Sequence, residues 1–257
     1  MKNKLNITLV QTNIYWEDID SNLKHLDKRL EKITNTDIIL LPEMFNTAFS
    51  PSSSYLAEGM KGKTVKWLLD ISKKKKTAIA GSLMIKEKGK IYNRLIWVSK
   101  EGKIHKYDKS HLFSLAKEDK YIKKGCERLV VEEEGWKICP LICYDLRFPV
   151  FSRNNTKYDI LIYVANWPIR RITAWDTLLK ARAIENQCFT VGVNRIGKDN
   201  NGVEFNGHSS VYDSFGHQLL FLESRQEILN IDLCLKELQL KRRQMPFLKD
   251  QDIFSIH

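Results

Sequence analysis

The chain has no apolar run approaching the about 20 residues that a membrane-spanning helix needs, which argues against a membrane partner. Near its start there is one mostly apolar stretch, residues 5–10, too short and too polar for the core of a signal peptide. Glycine and proline are scarce, 12 and 6 in 257 residues, and no Ser/Gly-rich or low-complexity tract separates the apolar segments. With no linker marked, one domain is expected over residues 1–257, with a C-terminal tail from 235. Cysteine is sparse too. The five thiols, Cys126, Cys139, Cys143, Cys188 and Cys234, are odd in number and form no CxxC pair or Cys/His cluster. That argues against a structural metal and a disulfide scaffold, and fits a reducing, cytoplasmic setting.

Negative charge is in short supply: 31 acidic against 42 basic side chains leave a formal charge of +11. An excess of that size raises nucleic-acid binding. The basic residues are dispersed, however. Their two local runs, 73–76 and 241–243, follow apolar helical patterns rather than interleaving with aromatic residues. They read as solvated faces, and no nucleic-acid partner is expected.

What is present is an alternation of buried-strand and helix patterns. Residues 5–10 alternate like a strand, and Asp20-Ser21 offers a cap for a helix with apolar positions Leu23, Leu26, Leu30 and Ile33. Residues 37–41 are a short continuous apolar run that stops at Pro42-Glu43, as a strand covered on both faces would. A helix around Trp67 and a strand over 77–85 follow, then a β-hairpin over 90–107 turning at Glu101-Gly102. Further strands are expected over 136–142, 158–165, 188–193, 207–212 and 227–231. A helix over 172–185 should carry Trp175, Leu178, Leu179, Ala183 and Ile184 on one side. Antiparallel pieces within a βα pattern point to a mixed sheet. No internal repeat of fixed period is visible.

One stretch concentrates reactive chemistry. After the apolar run 136–142 come Cys143, Asp145 and Arg147 before Phe148-Pro149 allows a new helix to start. In open α/β sheets ligands bind beyond the carboxyl ends of strands, which is where Cys143 falls. Glu43 and Lys109 stand just past the ends of two other strands. Taken singly, Cys143 reads as an inert core thiol, and Glu43 and Lys109 as solvated charges. Together a thiol, a carboxylate and an ammonium suffice for acyl transfer. The carboxylate can carry the proton and the ammonium can oppose charge on a carbonyl oxygen. His111 keeps a Cys/His hydrolase open as an alternative, although no paired Asn or Asp motif accompanies it.

Three segments, Leu41-Pro-Glu-Met-Phe45, Lys106-Tyr-Asp-Lys-Ser-His-Leu-Phe113 and Leu141-Ile-Cys-Tyr-Asp-Leu-Arg-Phe148, resemble the ordered signatures of the nitrilase, or carbon-nitrogen hydrolase, superfamily. Gly81-Ser-Leu-Met84, Ala165-Asn-Trp-Pro168 and Lys180-Ala-Arg-Ala-Ile-Glu-Asn186 are similar to its bacterial ω-amidase branch. The resemblance implies an α/β fold, a four-layer α-β-β-α sandwich with two mixed sheets, assembled as a homodimer or higher homo-oligomer. It implies a Glu-Lys-Cys triad, carried here by Glu43, Lys109 and Cys143, and a second active-site acid for which Glu118 is the candidate and Asp119 its neighbour. No cofactor is implied.

The implied reaction releases ammonia from the terminal amide of a small dicarboxylic acid monoamide through a thioester. Arg147 is the candidate for the far carboxylate, unless it pairs with Asp145. Tyr144 would supply a backbone N–H to the oxyanion, and Trp167 would wall the pocket unless it is core. Arg195 is a further basic candidate. A nitrilase, an N-carbamoyl amide hydrolase and a non-catalytic basic binding protein are the alternatives.

Overall fold

The structure, a computed structural model, describes residues 2–255. Its strands are, in chain order, β1 (Lys4–Gln11), β2 (Ile38–Leu40), β3 (Ala78–Glu87), β4 (Lys90–Val98), β5 (Ile104–Asp108), β6 (Val131–Glu133), β7 (Trp136–Ile142), β8 (Ile160–Ala165), β9 (Phe189–Asn194), β10 (Ile196–Lys198), β11 (Glu204–Asn206), β12 (Ser210–Tyr212), β13 (Gln218–Phe221) and β14 (Glu227–Cys234). The helices are α1 (Ile19–Leu30), α2 (Lys63–Lys75), α3 (Glu118–Tyr121), α4 (Pro149–Ser152), α5 (Ile172–Asn186) and α6 (Leu235–Gln244).

Two six-stranded mixed sheets form the body, in the orders β14-β1-β2-β3-β4-β5 and β13-β12-β9-β8-β7-β6. Each has three parallel strands at its centre, one antiparallel strand on one flank and two on the other. The two sheets thus share one order and direction of strands although the sequence shows no repeat, and they differ in connection: the edge strand β14 comes from the end of the chain, whereas its counterpart β6 directly precedes β7. Period-2 alternation explains the layering. From the first sheet Leu5, Ile7, Leu9, Leu40, Ala80, Leu95 and Trp97 join the core that includes the second sheet, whereas Val10, Ile39, Ile79 and Ile96 join α1 and α2 on the other face. On the second sheet α5 packs close to β9. A Cβ on Gly192 would lie 2.4 Å from Leu179 and 2.7 Å from Trp175, so only glycine admits the helix there. The result is the four-layer α-β-β-α sandwich.

Local readings differ in places. Helix α1 is capped by Asp18, whose carboxylate accepts from the Ser21 N–H, which moves Asp20 into the first turn. Ile184 is exposed rather than on the buried side of α5, where Arg182 and Asn186 turn inward instead. The run 241–243 is only partly a solvated face: Lys241 pairs with Asp213, and Arg242 pairs with Asp159 at 2.9 Å. The C-terminal segment begins as α6, which sends Leu235 and Leu238 into the core. Strands β6, β10, β11 and β13 are three or four residues long, too short to leave a periodic signal.

Candidate active site

Strand β7 ends at Ile142, and Cys143 opens a short 3-10 turn with a φ of 43°, in the left-handed region that non-glycine residues occupy at a cost. Asp145 holds that turn. Its oxygens accept from the Ile142 N–H at 3.0 Å, the Tyr107 hydroxyl at 2.7 Å and the His111 N–H at 3.0 Å, with the His111 ring Nδ1 at 2.8 Å. The His111 ring also stacks on Phe148, centroids 3.8 Å apart. His111 is therefore built into the support of the thiol's turn, and Asp145 has no capacity directed at Arg147.

Glu43 and Lys109 come from the first sheet. Glu43 follows β2 in a loop seated on β3. A Cβ on Gly81 would meet Phe45 at 2.7 Å, so glycine lets the loop approach, and the Met44 N–H donates to Ser82 Oγ at 3.0 Å. Lys109 follows β5. Both side chains are essentially inaccessible, and Lys109 Nζ lies 2.8 Å from Glu43 Oε1 and 3.0 Å from Glu118 Oε2. Glu118 starts α3 and is fully buried, receiving the Phe113 N–H at 2.7 Å, while neighbouring Asp119 points to solvent. Asn93 on β4, which sequence reasoning missed, donates to Glu43 at 2.8 Å and to Glu118 at 3.1 Å. Its signal was a polar amide in mid-strand, where Asn is depleted. Asn166, at the end of β8, was missed as well. Its N–H donates to Glu43 Oε2 at 2.9 Å, and its carbonyl lies 3.9 Å from the Cys143 sulfur.

The charges are mutually dependent. Burial alone would lower the Lys109 pKa, but Glu118 and then Glu43 outweigh it and hold the ammonium charged beyond the ordinary lysine range. Burial pushes the Glu118 carboxyl up; Lys109 opposes that shift and Glu43 adds to it. Burial, then the charge of Glu43, push the Cys143 thiol well above the ordinary thiol range, and Lys109 offsets this only in part. Lys109 therefore does not hold a resting thiolate: desolvation exceeds the pull of one cation that two carboxylates already neutralise.

Cys143 forms part of the wall of a cavity of about 320 Å³ shared with Glu43, Lys109, Tyr144, Arg147 and Trp167. Arg147 lies with its Cζ 5.1 Å from the Trp167 ring centroid. Trp167 is both wall and core, lining the cavity and meeting Trp175 at 5.5 Å. Arg195 is not in the wall. It is buried under Phe205, donating to the Ile14 carbonyl at 2.9 Å and approaching Asn166 Oδ1 at 3.5 Å. Its guanidinium is pulled down to about 10 by burial. Arg170 and Arg171, from the turn before α5, do line the cavity and were not anticipated. Among the described residues no group of three or more His, Cys, Asp or Glu side chains could hold a metal ion.

The model of the carbon-nitrogen hydrolase family matches residues 6–243. The chain belongs to that family. This hydrolase is 43% identical over 255 residues to the omega-amidase YafV of Yersinia enterocolitica, covering 98% of each chain, and 41% identical with the same coverage to that of Escherichia coli K12. It is 34% identical over 253 residues to the 2-oxoglutaramate amidase of Bacillus subtilis, covering 96% of this chain and 97% of the relative. Among solved structures it resembles a CN-hydrolase superfamily protein from Xanthomonas campestris that carries an arsenic adduct in its active site. That likeness has a TM-score of 0.97, 37% identity and full coverage of both chains. Saccharomyces cerevisiae Nit3, at 23% identity and a TM-score of 0.89 over 98% of each chain, shares the fold. The hydrolase thus places a protonated thiol, a buried carboxylate pair and a buried ammonium at one end of a small cavity, a set able to exchange protons and hold an oxyanion away from bulk water.

Proposed function

We propose that this hydrolase is an ω-amidase that cleaves the terminal amide of small dicarboxylic acid monoamides, of the 2-oxoglutaramate and 2-oxosuccinamate kind. Glu43 takes the Cys143 proton as the sulfur attacks the amide carbon. Lys109 and the Tyr144 N–H, in the first turn where helix starts leave donors unpaired, oppose the charge on the oxygen. Glu43 returns the proton to the departing nitrogen, ammonia leaves, and a thioester remains on Cys143. Water then attacks that carbonyl while Glu43 accepts its proton and Glu118 helps to position it. The C–S bond breaks, the acid is released, and the sulfur recovers the proton from Glu43.

The observation that carries the ω specificity is Arg147. It lies on an aromatic wall of the cavity that holds Cys143, and Asp145, the acid nearest it in sequence, is engaged by other groups. A guanidinium so placed suits planar, bidentate pairing with a substrate carboxylate.

The proposal also takes residues 1–257 as one catalytic domain that acts in the cytoplasm as a homodimer. In support, the family match runs through both sheets, and no helix among the described residues is long and apolar enough to cross a membrane.

Ammonia release from 2-oxoglutaramate, 2-oxosuccinamate, succinamate, glutamine, an aliphatic nitrile and an N-carbamoyl amino acid tests the reading. Turnover is expected to be fastest on the first three. Preference for the nitrile or the carbamoyl substrate would replace the reading with a related hydrolase, and no turnover of any would leave it without support.

A further inference from the structure

Arg147 is not the only cation on the cavity wall. Arg170 and Arg171 reach it from the turn Ile169–Arg171, which follows the β8 strand end that carries Asn166 and Trp167. The Arg171 Cζ lies 4.9 Å from the Phe113 ring centroid, on a second aromatic wall, as Arg147 lies on Trp167. Among the described residues the arginine ion pairs are those of Arg94, Arg182, Arg225 and Arg242, so none of the three cavity arginines has a carboxylate partner. Besides Glu43, the acid that lines the cavity is Asp199. Its Oδ1 accepts the N–H groups of Asn201 and Val203, at 2.9 Å each, and so closes its own turn.

Three unpaired guanidiniums around a cavity repel one another unless an anion sits among them. Burial, then Arg170, push the Arg171 guanidinium below its ordinary range, and Arg147 adds to that push, which places these charges within reach of each other. Arg171 is partly buried whereas Arg147 and Arg170 are more exposed, so its charge is the least well screened by water.

We infer that Arg171 is a second specificity-determining residue of this site, forming with Arg147 a two-guanidinium clamp on the distal carboxylate of the substrate. This rests on the ω-amidase reading and deepens it. A flat guanidinium lying on a ring face keeps its N–H edge free, so each arginine can address the carboxylate in its own plane. The clamp selects amides that end in an anion over amides of the same length that end in a methyl group.

The test compares kcat/KM for succinamate and for butyramide, in which a methyl group replaces the carboxylate, in wild type, Arg171→Gln and Arg171→Lys. Losing one charge-assisted partner should lower the succinamate-to-butyramide ratio roughly 10- to 100-fold in Arg171→Gln, mainly through KM for succinamate. Arg171→Lys, which keeps the charge but not the planar fork, should fall between. The ratio is insensitive to a general loss of active protein. A ratio unchanged in whichever variants fold overturns the inference, and so does a fall in both substrates by the same factor. A wild-type ratio near unity instead overturns the ω-amidase reading itself.

Discussion

Cys143, Glu43 and Lys109 act on one another chiefly through charge, and the two partners shift the thiol in opposite directions. The negative charge of Glu43 helps to hold the proton on Cys143, and Lys109 opposes it. Glu43→Gln should therefore move the alkylation profile of Cys143 to lower pH, and Lys109→Met should move it higher. Ammonia release is nonetheless expected to fall in both. A loss of about 10²–10⁴-fold is expected for the missing proton carrier, and about 10²–10³-fold for the missing oxyanion partner. The measurement is the rate of iodoacetamide alkylation against pH beside turnover, with Cys143→Ala as the inactive, folded control. Parallel shifts in the two variants, or turnover at wild-type rate in either, would refute the assigned roles.

The raised thiol also links to stability. Its folded pKa lies above its unfolded value, so the stabilisation it confers is complete below the unfolded value and is lost as pH rises toward the folded one. The same sign holds for Cys139 and Cys188, each pushed up to about 12 by burial. Urea midpoints should accordingly drop between about pH 9 and pH 12, since ordinary thiols titrate near 8.5. Replacing both Cys139 and Cys188 with Ala should flatten the slope by up to about 2.7 kcal/mol per pH unit, the limit for two protons. An unaltered slope would mean that other groups, such as buried Tyr107 and Tyr158, dominate the alkaline loss.

At the scale of elements, the turn that follows β7 depends on a single carboxylate. Asp145 joins β5, through Tyr107, and the segment around His111 to the strand end that presents the thiol. Asp145→Asn leaves one acceptor oxygen and turns an amide N–H₂ toward existing donors. Destabilisation of at least about 2 kcal/mol is expected, because a buried charged acceptor is lost and its donors are stranded. Because φ at Cys143 depends on this support, turnover should fall by more than the unfolded fraction accounts for. Urea unfolding and active-site titration together separate these effects, and a variant with wild-type stability would show that the turn is held by something else.

At the scale of the molecule, apolar side chains remain exposed in the C-terminal region and on β13. Phe221, Met245, Phe247, Ile253 and Phe254 are all among them, whereas Leu222 is fully buried and belongs to the core. Exposed apolar groups gathered in segments that would otherwise be polar mark interfaces. Light scattering at micromolar concentration should return at least twice the chain mass of 30.1 kDa. Phe247→Asp should lower it, and a monomer mass for the wild type would remove the dimer from the proposal.

The residues 41–45, 106–113 and 141–148 were enough to bring Glu43, Lys109 and Cys143 into one reading, because strand-end chemistry follows chain order and short motifs keep their local turns. The long buried strands were legible for a similar reason: the run 160–165 is buried at every position and 136–142 at every position but Lys137, so both faces leave an apolar signal. Asn93 left only the sign of an amide in mid-strand, with nothing local to say that its partner lies 50 positions away, and nothing local revealed Asn166, whose partner lies 123 positions away, or Arg171, whose neighbour on the cavity wall is Phe113. Nor could sequence assign Glu118 rather than Asp119 to the interior, since adjacent acids differ only in the direction the backbone gives them. The protonation of Cys143 was decided last and at the longest range. It depends on how completely two sheets remove water from one thiol and on two carboxylates sharing the lysine beside it, and both are properties of packing.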